Sequence, residues 1–151
     1  MGQQQLLLVI LVTIIVGIAT VVAINTFGAA ADSARIDAVR QDLATIAASA
    51  QGYYMKPDML GGGGRDFTGI EWSDIAFGGD FTDADETAST PAFVENENAR
   101  YEFGTIATDN VLIDAYEEDG STVIFNARIC VNDIKYSDVG GADGGAPECD
   151  S

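Results

Sequence analysis

Between Met1 and Ala31 the chain carries no charged side chain, and Leu6 to Ile24 reads LLLVILVTIIVGIATVVAI. Only Thr13, Gly17 and Thr20 interrupt the aliphatics in that run. As an α-helix these residues span about 28 Å, the thickness of a bilayer's hydrocarbon core. A helix this long and apolar on every side has no face for water, so it belongs in lipid or among other apolar helices. The rest of the fold must therefore leave this segment in a membrane or see it covered. The competing reading is a cleaved secretory signal, because Gly28-Ala29-Ala30-Ala31 imitates a small-residue cleavage site. Such signals open with basic residues and have a shorter apolar core, whereas Met1-Gly2-Gln3-Gln4-Gln5 holds neither Lys nor Arg.

From Asp32 the helical pattern continues, with no proline before Pro57. Ile36, Val39, Leu43, Ile46, Ala47, Ala50 and Tyr53 or Tyr54 recur at spacings of three and four and form one stripe. Asp32, Arg35, Asp37, Arg40, Gln41 and Asp42 take the other faces, with Asp32–Arg35 and Asp37–Arg40 spaced to pair. The pattern predicts one helix of about 50 residues, about 75–80 Å long. Residues 1–31 form its apolar transmembrane or filament-core half. Residues 32–55 form its amphipathic half, which packs on a sheet through Ile36, Val39, Leu43, Ile46 and Ala50. Asn25-Thr26-Phe27-Gly28 and Gly17 are its weak points by propensity. Gly17, between Thr13 and Thr20, also suits close approach of a second helix. Gly52 and Lys56-Pro57 end the helix.

Residues 56–99 read as an irregular Gly/Asp-rich region. Gly61 to Gly64 suggest a linker; a phosphate-binding loop would need a following Lys-Ser/Thr and a strand-to-helix setting, both missing. Phe67, Ile70, Trp72, Ile75, Phe77 and Phe81 pin this stretch to the domain. Asp80, Asp83, Asp85 and Glu86 cluster beside Gly78 and Gly79, an oxygen-rich loop of the kind that takes calcium, although its spacing is not that of an EF-hand. In a chain with 24 acids such clusters also arise by chance. From Arg100 apolar residues alternate with polar ones, which predicts about three antiparallel strands near 100–107, 110–117 and 121–134. Thr108-Asp109-Asn110 and Glu118-Asp119-Gly120-Ser121 supply turn chemistry between them. The fold class is α+β, with residues 100–151 forming the sheet and a C-terminal loop.

The formal net charge is −17 and all of it lies beyond Ala31. So negative a surface repels phosphate backbones, which excludes general nucleic-acid binding. Asp outnumbers Glu sixteen to eight and there are only two lysines, a balance that fits work in high salt, where repulsion is screened, or simply a soluble acidic surface. The two cysteines, Cys130 and Cys149, are expected to pair outside the cytoplasm; two free thiols or a shared metal are the alternative. A link across about twenty residues is worth about 3 kcal/mol in the loop-entropy model. The chain has no histidine, which removes Ser-His-Asp and Cys-His arrangements and Cys-x-x-Cys-His haem attachment. No enzyme, catalytic residue or cofactor is expected, calcium being the single candidate.

A long helix, a loop region, an antiparallel meander and a C-terminal disulfide loop together resemble bacterial type IV pilins and their pseudopilin relatives. At residue level the resemblance rests on Met1 to Phe27, a short polar lead before an aliphatic helix. It implies a chain that begins at a methylated residue, sits in the inner membrane as a single-pass precursor, and passes through pilus assembly machinery into a homo-oligomeric helical filament. The assembly helix is then read at Met1, Gln5, Leu6, Val9, Thr13, Val16, Gly17, Thr20 and Ile24. Members of the family carry a glutamate at the fifth mature residue, thought to neutralise a neighbour's terminal amine. With Met1 as the first residue that position is Gln5, an amide that accepts a hydrogen bond from an amine without supplying the opposite charge. The resemblance implies the major structural subunit of a type IV pilus-like filament at the cell surface. A pseudopilin of a secretion system and a single-span, membrane-anchored extracytoplasmic binding module need the same apolar run. The binding module leaves the amphipathic continuation unexplained.

Overall fold

The computed structural model describes residues 2–83, 92–137 and 148–150. One helix, α1 (Gly2–Met55), is followed by two single 3₁₀ turns, Asp58–Leu60 and Trp72–Asp74. Among the described residues six strands follow: β1 (Asp80–Thr82), β2 (Phe93–Glu95), β3 (Arg100–Ile106), β4 (Asn110–Tyr116), β5 (Val123–Cys130) and β6 (Ile134–Tyr136). They lie in one sheet in chain order, every neighbouring pair antiparallel. The fold is α+β, as the pattern predicts. The chain divides into two compact units, Met1–Arg35 and Ile36–Ser151.

In the first unit α1 is unbroken through both low-propensity places, Gly17 and Asn25-Thr26-Phe27-Gly28. Its hydroxyls turn inward on their own helix. Thr13 donates to the Ile10 carbonyl, Thr20 to Val16 and Thr26 to Val22, each at 2.8 Å. Such back-bonding satisfies a hydroxyl locally and lets a polar residue sit in an apolar helix.

In the second unit the stripe is buried as its spacing requires: Val39, Leu43, Ile46, Ala47 and Ala50 are all fully covered, while Ile36 is half-covered. They pack in one core with Tyr101, Val111, Ile113, Ala115, Phe125, Ala127 and Ile129, the inward residues of β3 to β5. The helix stops at Met55 because Pro57 has no N–H to continue it. The four glycines are not the linker their composition suggests. The N–H groups of Gly63, Gly64 and Arg65 donate to the carbonyls of Tyr53, Lys56 and Tyr54 at 2.8–2.9 Å, capping the open end of α1. A Cβ on Gly62 or Gly63 would run into backbone there, and Gly61 and Gly64 have positive φ.

The sheet has six strands where the alternation predicts about three. The three expected strands are its centre, β3 to β5. β1 and β2 come from the stretch read as irregular. The long run expected over 121–134 ends at Cys130, turns through Val131–Asp133, and returns as β6. Three-residue strands are too short for a period of two to show. Of the aromatic and aliphatic side chains expected to pin residues 66–83, Phe67, Ile70, Trp72 and Ile75 are buried. Trp72 stacks on Phe103 with ring centres 4.2 Å apart and donates Nε1 to the Ala92 carbonyl. Phe81 departs from this: it stands half-exposed on β1. Cys130 and Cys149 form a disulfide with Cα atoms 5.8 Å apart.

Candidate assembly surface

The residues read as an assembly helix lie on the first unit's surface. Gln5, Leu6, Val9, Thr13, Val16, Gly17, Thr20 and Ile24 are all exposed on α1; Met1 lies outside the described residues. Leu6, Leu7, Leu8 and Val9, which successive steps of about 100° place all round the helix, are each more than half exposed, so no side is sheltered. By length and composition α1 can cross a membrane. Because the threonine hydroxyls are bonded inward, the outer surface from Leu6 to Ile24 presents almost nothing that water can hydrogen-bond. Gly17 carries no side chain, so a partner helix can approach α1 closely there, and a Cβ added to it would meet no atom within 4 Å. Removing such surface from water is worth about 25 cal/mol per Å².

The second unit carries the acidic surface and is fastened by polar contacts that no motif announces. One carboxylate oxygen of Asp42, on α1, accepts hydrogen bonds from Asn96 Nδ2, Asn98 Nδ2 and Tyr101 Oη, each 2.8 Å long. Asn96 Oδ1 in turn accepts from the N–H groups of Asn98 and Ala99, which shapes the β2–β3 turn. The signal available in advance was Asn96-Glu97-Asn98, turn chemistry just ahead of a strand. Gln51 donates to the Cys130 carbonyl at 3.1 Å, joining the last turns of α1 to β5. Arg40 pairs weakly with Asp37 at 3.8 Å, as its spacing predicts, and lies over the Phe125 ring.

On the outward face of the sheet, Glu102, Asp114 and Asn126 stand side by side on β3, β4 and β5. Arg100 pairs with Glu102 and lies 3.6 Å above the Phe93 ring. Burial raises the Asp114 carboxyl above its ordinary value of 3.8; the Glu102 charge adds to the rise, and a hydrogen bond from Asn126 opposes it. Near the C-terminus Lys135 bonds Asp150 at 2.6 Å and Asp133 at 3.3 Å, contacts that raise the lysine and help to lower Asp133. This ion pair and the disulfide together fasten residues 148–150 to β5 and β6.

Of the calcium candidate, Asp80 and Asp83 are exposed, while Asp85 and Glu86 lie outside the described residues. Among the described residues no group of three or more Cys, Asp or Glu converges to hold a metal ion. Compared with protein-family models, with curated proteins and with solved structures, the chain matches none.

Proposed function

We propose that this protein is the structural subunit of an extracellular filament of the type IV pilus kind, polymerising through the N-terminal half of α1. The observation that carries the reading is that one unbroken helix is apolar and exposed all round over Leu6–Ile24, yet amphipathic and buried on one stripe over Val39–Ala50. A membrane tether alone explains the first stretch. A subunit whose helix must later lie among identical helices, with its acidic second unit facing water, explains both. Once out of the bilayer, the apolar surface is satisfied only by many copies of itself, and a head-to-tail contact that does not close generates an open helical array. A glutamine at position 5 places the first turn of each helix in its neighbour's reach as a neutral hydrogen-bonding group rather than a counter-charge.

The test is electron microscopy of sheared surface material, with the subunit identified by mass. Filaments built of this chain are expected. A chain recovered only as dispersed protein in the membrane fraction overturns the reading and leaves a single-span anchored module.

A further inference from the structure

Four of the six bases of the second unit are engaged within the protein. Arg40 pairs with Asp37, Arg100 with Glu102 and Lys135 with Asp133 and Asp150, and Arg128 bonds Asn110. Lys56 and Arg65 differ: both are exposed, and neither side chain makes an ion pair or hydrogen bond among the described residues. They stand in the glycine loop that caps α1. The same loop holds Met55, Met59 and Leu60, which are 70 %, 96 % and 68 % exposed, the most exposed large apolar side chains among the described residues of the second unit. Its two acids are Asp58 and Asp66, and Asp66 is turned onto the N–H and hydroxyl of Thr68. So on a chain of net charge −17, this loop is locally neutral, apolar and rigidly held by three backbone hydrogen bonds to the helix end.

Elsewhere in the same unit an open cleft of about 650 Å³ is lined by Gly79, Asp80, Glu95, Asn96, Glu97 and Glu118, four carboxylates and no base. An acidic cleft alone attracts any cation and decides nothing. What gives it a specific partner is the loop, whose unpaired cations, Lys56 and Arg65, complement the cleft's carboxylates. Both surfaces belong to every copy, and they use different residues, so a contact between them joins copies without closing a dimer.

We propose that the α1-capping loop, through Met55, Lys56, Met59, Leu60 and Arg65, docks on the Asp80–Glu118 cleft of a second copy of this chain. The inference rests on the filament reading, in which like-charged heads must meet somewhere. It places their contact where a neutral loop with two unpaired cations, rather than another acidic surface, meets four carboxylates.

The chain's two lysines make a direct test. Carbodiimide forms a zero-length amide between an amine and a carboxylate, and Lys135 is already engaged within its own chain. Treated filaments should yield a ladder of covalent oligomers, with peptide mapping joining Lys56 to Asp80, Glu95, Glu97 or Glu118. Lys56→Arg should keep assembly and remove the ladder, while Lys135→Arg should leave both. The Lys56→Glu/Arg65→Glu pair should make filaments shed subunits on shearing, and Glu95→Lys/Glu97→Lys in the same chain should restore them. Intact filaments in which Lys56 links only within its own chain, to carboxylates elsewhere or to another protein overturn the docking and leave the filament standing. So do charge-reversed filaments as shear-resistant as the unaltered ones. If no polymer forms from the unaltered chain, the filament reading itself falls and the docking falls with it.

Discussion

At Asp42 a single carboxylate oxygen receives hydrogen bonds from three side chains that lie 54, 56 and 59 positions away. Tyr101, one of the donors, is fully buried. Asp42→Ala therefore leaves a buried hydroxyl without its carboxylate acceptor, at a cost of about 1–3 kcal/mol. Urea unfolding followed by the fluorescence of Trp72, the only tryptophan, should show the unfolding free energy fall by that amount, with the midpoint shifted to lower urea; an unchanged midpoint removes Asp42 from the account. Nothing in the local sequence distinguishes Asp42 from Asp37 or Gln41, which share the outward faces of the helix. Its role depends on a turn that arrives after more than fifty residues, so periodicity cannot reveal it. Asp114 offers a second test. Its carboxyl is raised by burial and by Glu102, so the folded protein holds that proton more tightly than the unfolded chain does. Stability from this group is then full below the ordinary carboxyl value and is lost as pH rises through the raised one. Asp114→Asn should remove that loss. The variant's melting temperature should exceed the parent's at neutral pH, with the gap closing toward acid; a gap that is constant with pH rules the carboxyl out as its source.

Long elements were legible and short ones were not, for a physical reason. The stripe Val39–Ala50 repeats often enough to declare a helix and its buried face, and β3 to β5 alternate over seven or eight residues each. β1, β2 and β6 have three residues apiece, and their pairing is decided by the neighbouring strand rather than by their own pattern. The glycine loop misled for a related reason: glycines that free a chain when alone become a fixed cap once the carbonyls of α1 accept their N–H groups. The pairing of Cys130 with Cys149 was readable because two cysteines outside the cytoplasm allow one intramolecular bridge. What that bridge holds was not readable, since the Lys135–Asp150 contact beside it depends on β6. With a sequence separation of 19, the bridge is worth about 3 kcal/mol in the loop-entropy model. The Cys130→Ser/Cys149→Ser pair should lower stability by about that much while the far-ultraviolet signal of helix and sheet persists. A loss well under 1 kcal/mol would mean that the Lys135 ion pairs and the strand pairing already hold the C-terminus.

At the scale of the whole molecule, the proposed filament reading assigns two tasks, assembly and folding, to the chain's two units. The buried core lies entirely within Ile36–Ser151, and none of the large aliphatics from Leu6 to Ile24 contributes to it. Assembly and folding should therefore be separable by one substitution. Val16 lies in the middle of the apolar run and is exposed on α1, and Val16→Asp puts a charge there. In a membrane the change costs about 2.5–3.5 kcal/mol at the helix centre, and the fifteen other Leu, Ile, Val and Ala residues of the run remain to hold it there. The variant should reach the membrane fraction with its disulfide formed and its Trp72 environment unchanged. In a filament the same carboxylate recurs in every subunit, among apolar neighbours that offer it neither water nor a cation, because no base lies before Arg35. Filaments should be absent, whereas Val16→Leu should assemble normally. Filaments formed by Val16→Asp at the parental yield would show that the apolar helix is not their core. Loss of the folded second unit would show that the two tasks are not separate after all.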